Sequence, residues 1–187
     1  MNRQFAGVLL VASTLALSGC AAKAPVGQMK PMVLAMPAAR IASSCKSSVG
    51  LPDSTCTPGA VRTTDVQSIC HGSTSQYRPP TSYTNKLKVQ QISEYGYADT
   101  SLSDYEEDHL ISLEIGGDGS DPKNLWPEPH SGQYNSFVKD QVENWLHKQV
   151  CAGAMTPKDA QNGIATNWKQ YIADALDDKA NKKKEID

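Results

Sequence analysis

Residues 105–143, YEEDHLISLEIGGDGSDPKNLWPEPHSGQYNSFVKDQVE, constrain this chain more than any other stretch. The apolar run 110–115 reads as one strand, and Gly116-Gly117 with Asp118, Gly119 and Asp121-Pro122 reads as a turn cluster. A second short strand over 124–126 is stopped by Pro127 and Pro129. Beyond Gly132, apolar residues at Phe137, Val138, Val142, Trp145, Leu146 and Val150 recur with helical period. The predicted order is strand, turn, strand, helix. Asp108 and His109 enter at the first strand, Asn124 at the second and Asn135 near the helix start, so one edge can collect all four. A carboxylate, a histidine and two amides at one edge suit a single divalent metal.

These residues carry a resemblance. Asp108-His109, the Gly116-Gly117 turn, the segment DPKNL over 121–125 and an amide or histidine near the helix start resemble the HNH, or ββα-metal (His-Me finger), endonuclease family. From Cys56 to Ala160 the chain is similar to small secreted bacterial HNH-like proteins with YEEDHLIPLELGG, NLWPEP and KDxxE blocks, departing visibly where Ser112 replaces the usual proline. The resemblance implies an α+β fold: a small ββα-metal core with additional helices and disulfide-stapled N-terminal loops. It implies that His109 is a general base activating water, that Asp108 is a metal ligand with Mg²⁺ the first choice, and that Asn124 braces the loop and orients the histidine. For the helix side of the metal site Asn135 is preferred over His130, which lies between prolines and a glycine, and Glu143 can ligate or brace. Lys139 can hold a phosphate, or it can pair with Glu143 as an ordinary i, i+4 helix couple. Glu106 and Glu107 read either as solvated acids beside the site or as charges raising the pKa of His109, and His71 and His147 are not expected to be ligands.

The rest of the chain reads as support. Residues 1–19, with Arg3 followed by an apolar stretch, form a secretory signal too short to span a membrane. Its Leu-Ser-Gly-Cys ending resembles the bacterial lipobox, which implies lipidation at Cys20 and membrane attachment by acyl chains. Ala21 fits outer-membrane sorting, so the expected location is the bacterial cell envelope, facing periplasm or exterior. Residues 20–44, rich in Ala, Pro, Met and Lys, read as a flexible tether in which Met29, Met32 and Met36 are incidental. Residues 45–176 form one domain, and the charged 177–187 reads as a disordered tail.

Setting Cys20 aside leaves Cys45, Cys56, Cys70 and Cys151, an even number in an exported chain and so two disulfides. Connectivity stays open, with Cys151 expected to tie back to Cys56 or Cys70; a four-cysteine zinc site lacks its usual close spacing. A helix ending at Gly96 and a last helix opening at Thr156-Pro157 complete the expected elements. The net charge of −2 becomes about −3 without Arg3, which argues against a large basic nucleic-acid surface. Arg78, Lys86, Lys88, Lys123 and Lys139 remain to line one face. The expected partners are DNA or RNA as substrate and a membrane through Cys20, with no protein partner evident. The expected activity is non-specific phosphodiester hydrolysis. The rival is a non-catalytic envelope lipoprotein that uses the same fold to bind.

Overall fold

The computed structural model describes residues 45–186; the signal segment, Cys20 and the tether expected over 1–44 lie outside them. The architecture is mixed α+β, with five helices around a two-stranded antiparallel sheet among the described residues. None of the described helices is long and apolar enough to cross a membrane.

The strands are not where apolar runs placed them. Strand β1 is the acidic segment Tyr105–His109 and β2 is Leu125–Pro129, paired so that Glu106 faces Glu128, Asp108 faces Trp126 and His109 faces Leu125. Residues 110–115, expected to be a strand, instead leave β1 as a buried loop and close into a 3₁₀ turn, Leu113–Ile115. Pro127 and Pro129 lie inside β2 rather than ending it. They occupy alternate positions on a strand with one neighbour, so their missing N–H groups fall on the side that needs no donor.

Helices follow their caps. Helix α1, Val66–His71, starts at Asp65, whose side chain accepts from Ser68 N–H. Helix α2, Thr81–Glu94, stops as expected before Gly96, which takes the left-handed φ of 63°. Helix α3, Ser136–Cys151, buries Val142, Leu146 and Val150 one to two turns apart. Helix α4, Pro157–Asn167, has Thr156 as its N-cap and Pro157 in its first turn. A 3₁₀ turn at Trp168–Tyr171 separates it from α5, Ile172–Ile186, so the expected single last helix is broken. The tail expected to be disordered continues α5 through Ile186. Its Lys and Ala residues favour helix, the lysines lie toward the C-terminal end, and Lys148 on α3 pairs with Asp178.

The core forms where α3, α4 and the 110–115 loop meet: Ile111, Ile115, Val142, Leu146, Val150, Ile164 and Trp168 are buried together. Two close approaches fix the turn after that loop. A Cβ at Gly117 would lie 1.9 Å from the Ile111 carbonyl oxygen, and one at Gly119 would lie 1.9 Å from that of Tyr77. The glycines are therefore steric requirements of the turn.

Two disulfides staple this frame, Cys45–Cys56 and Cys70–Cys151, and the second joins α1 to the end of α3. The Cys70–Cys151 bridge closes a sequence separation of 81 residues against 11 for Cys45–Cys56, so it removes more freedom from the unfolded chain. Replacing Cys70 and Cys151 by Ser is expected to cost ~4.5 kcal/mol against ~3 kcal/mol for the Cys45/Cys56 pair in the chain-entropy account. Denaturant midpoints of the two double variants measure this, and an equal or reversed order would show that native-state effects dominate.

Candidate functional site

His109 ends β1 and is 3% exposed, with its Nε2 3.0 Å from the Gly119 carbonyl oxygen. A carbonyl only accepts, so Nε2 carries the ring proton and the Nδ1 lone pair is left without a protein partner. Burial pushes the imidazole below its ordinary pKa, against the opposing pull of Asp108. The ring is thus neutral at pH 7, with one nitrogen available to take a proton.

The carbonyl that orients His109 sits next to a residue held by Asn124. Asn124 is fully buried: its Oδ1 accepts from Ile111 N–H at 2.9 Å, and its Nδ2 donates to the carbonyls of Ile111 (2.9 Å) and Asp118 (2.8 Å). One amide therefore clamps both ends of the turn that presents Gly119 to His109.

Asp108 and His109 share a cleft of ≈ 200 Å³ with Arg78, Glu114, Asp140, Glu143 and Asn144. Sequence reasoning assigns Asp108, His109 and Glu143 to the site and sets Asp140 on the helix face of Lys139 and Glu143. Asn144 follows Asp140 by one helical turn, a spacing that extends that face to it. Arg78 comes from the loop before α2, and no spacing in the sequence announces it. The Ser112 hydroxyl accepts from Glu114 N–H at 3.2 Å at the edge of the same cleft.

Lys139 is not among the residues that line the cleft. It is fully buried, donating to Asp108 Oδ2 at 2.5 Å, to the His109 carbonyl at 2.8 Å and to Glu143. Burial alone would lower the ammonium pKa, but Asp108, Glu143 and Glu128 together hold it well above its ordinary value. Burial would likewise raise Asp108, and Lys139 overrides it and keeps the carboxyl below the usual range. Glu128, which no spacing along the chain singles out, lies in the same cluster, and burial pushes it well above the ordinary carboxylate value.

Asn135 is not part of the cleft lining. It is the N-cap of α3, with Oδ1 accepting from Val138 N–H at 3.1 Å and Nδ2 donating to the Gly132 carbonyl at 2.7 Å. Its amide is used by the helix terminus, so Asn135, expected as a metal ligand, serves here as a cap outside the cleft. His130 lines a neighbouring cleft of ≈ 340 Å³, which His109 and Arg78 also border.

A hard divalent cation suits the first cleft chemically. Asp108, Asp140 and Glu143 offer oxygens there, burial is the largest cause raising the Asp140 carboxyl, and Asp108 raises it further. A cation beside both would relieve that repulsion. Mg²⁺ characteristically takes one or two carboxylates and keeps several waters, so it needs no complete protein cage. A tighter group exists elsewhere: Cys70, His147 and Cys151 place ligand atoms within 4.8 Å of one another and could hold a metal, but with the two sulfurs joined as a disulfide, the thiolates such a site needs are absent.

No family model, curated protein or solved structure matches the chain.

Proposed function

We propose that the protein is a metal-dependent nuclease that hydrolyses phosphodiester bonds in DNA or RNA without reading sequence, attached to the cell envelope through Cys20. The observation that carries the reading is the neutral, carbonyl-oriented His109 opening with Asp108 onto a carboxylate-lined cleft that also contains Arg78. The motif resemblance of residues 105–143 to HNH endonucleases supports the same chemistry.

In this mechanism His109 Nδ1 accepts the proton of the attacking water, while the Gly119 carbonyl fixes the ring and favours the imidazolium that forms. Arg78 meets the non-bridging phosphate oxygens with its planar fork of donors. Asp108, Asp140 and Glu143 line the cleft and would hold a divalent ion there, which would supply Lewis acidity for the departing oxygen. Lys139 keeps Asp108 ionised from below, and Asn124 keeps the histidine loop in register.

Plasmid nicking with Mg²⁺, and again after chelation, tests the reading: nicking should require the ion. Asp108→Ala should demand a higher Mg²⁺ concentration for the same rate, with part of the activity restored at saturation. Failure to nick single- or double-stranded nucleic acid at any divalent-ion concentration would exclude the nuclease. The rival of a non-catalytic binding module has one observation in its favour, the engagement of both Asp108 and Glu143 by Lys139. It predicts nucleic-acid binding that is unchanged by Mg²⁺ and leaves the strand intact.

A further inference from the structure

Phe137 is out of keeping with the helix that carries it. The helical period of α3 assigns it to the apolar face, yet it is 59% exposed, and it is the one aromatic among the exposed large hydrophobics of the described residues. Leaving a phenylalanine in water forgoes the usual gain from burial. One face of its ring stacks on His130, with centroids 5.2 Å apart and planes 20° from parallel.

His130 is held firmly. Its backbone N–H donates to the Asp104 carbonyl at 3.0 Å, and its ring Nδ1 lies 2.8 Å from the hydroxyl of the buried Ser136. The same ring borders the second cleft together with His109, Arg78, Lys88 and Asn85. The His130 ring, with Phe137 stacked on it, therefore lines a cleft that holds the proposed base and a guanidinium, together with the carboxyls of Glu106 and Glu107. Cations beside an open ring face are what a nucleic-acid strand needs next to its scissile phosphate: positive charge for the backbone and a π surface for a base.

We propose that the His130–Phe137 stack receives an unpaired nucleobase adjoining the phosphate at His109 and Arg78, and that the substrate is accordingly single-stranded nucleic acid. The proposal rests on the nuclease reading and adds the substrate class to it. Bases in a duplex are stacked on one another and offer edges rather than faces, so only an unpaired nucleotide can use the platform. Stacking also tolerates any base, in keeping with contact that does not read sequence.

Two arms test it. In the first, the His109→Ala protein is titrated with a short single strand carrying 2-aminopurine, whose fluorescence is quenched when the base stacks. Quenching is expected, with its loss in His109→Ala/Phe137→Ala and its return in His109→Ala/Phe137→Trp. In the second, kcat and KM are measured on a single strand and on the same sequence as a duplex. Wild-type protein should favour the single strand, and Phe137→Ala should raise KM for it ~5- to 100-fold while kcat stays within about 2-fold. Quenching that survives Phe137→Ala, a wild-type preference for duplex, or an unchanged single-strand KM in Phe137→Ala would each overturn the proposal. Quenching by the platform without cleavage by wild-type protein would instead remove the nuclease reading and leave a single-strand-binding surface.

Discussion

His109→Ala is expected to lower the nicking rate ~10²- to 10⁴-fold, the contribution usual for a positioned general base. The metal requirement should be nearly unchanged, because the imidazole is oriented by the Gly119 carbonyl and Asp108 belongs to a separate hydrogen-bond set with Lys139. Affinity for Mg²⁺, followed by the ion concentration giving half-maximal residual nicking, separates this outcome from loss of a ligand. The pH profile adds a second check. A base works only when deprotonated, and burial holds His109 below the ordinary histidine value, so activity should persist at pH values where an exposed histidine is protonated and fall only below that point. An acid limb at or above the ordinary value would contradict the buried, neutral imidazole. Full activity in His109→Ala would remove the mechanism.

The sequence was most informative where a residue's role depends on its immediate neighbours. Asp108-His109, Asn124 and the Gly116-Gly117 turn are close in the chain, and the structure brings Asp108 and His109 to one cleft while Asn124 is buried, bonding the loop that follows them. The strand boundaries were misread for a physical reason. Apolar residues 110–115 are buried because a loop passes through the core with its backbone satisfied by the Asn124 amide, and no sheet neighbour is needed. The true strand is acidic and reads as solvated surface. Yet it lies between two helices, with Lys139 of α3 meeting Asp108 and Lys88 of α2 donating to the Tyr105 carbonyl at 2.8 Å. Glu107 on this strand is buried without a hydrogen-bond partner for either carboxyl oxygen, and burial pushes it up to about 8, so it is not the solvated acid one sequence reading allowed.

Asn135 shows a legible signal given the wrong weight. Asparagine directly before a helical run is among the strongest N-cap signatures, and that local demand takes the side chain. Glu128 shows the opposite case, since its place near Lys139 follows from the strand register and from the burial of the Lys139 side chain against Asp108. Neither can be obtained from spacing along the chain. The cysteines lie between these extremes: their even number announces two bridges, while the pairing depends on where α1 and α3 end in space.

Lys139→Met should be the most destabilising single substitution near the cleft, at ~3 to 5 kcal/mol, because removing one partner leaves buried charge uncompensated. Lys139 is fully buried, and the acceptors it leaves include Asp108, Glu143 and the His109 carbonyl. Methionine fills similar volume, so a cavity contributes little and the loss is electrostatic. The pH dependence follows from Asp108. In wild-type protein its folded pKa is depressed, so its contribution to stability is present above the unfolded value and is lost as pH falls through the folded one. Without the ammonium, burial raises the Asp108 carboxyl, the folded state binds a proton more readily than the unfolded chain, and acidification relieves the variant. The gap in unfolding free energy between wild type and Lys139→Met should therefore narrow as pH is lowered through the carboxylate range. Lys139→Met/Glu143→Leu should be less destabilised than Lys139→Met alone, since the second change removes one of the stranded acids. A gap independent of pH, or a double variant no better than the single, would mean that Lys139 acts through packing. Because Asp108 is the carboxylate proposed to hold the ion, the same variant should also shift the Mg²⁺ dependence of nicking, linking the stability of the sheet–helix contact to the cleft above it.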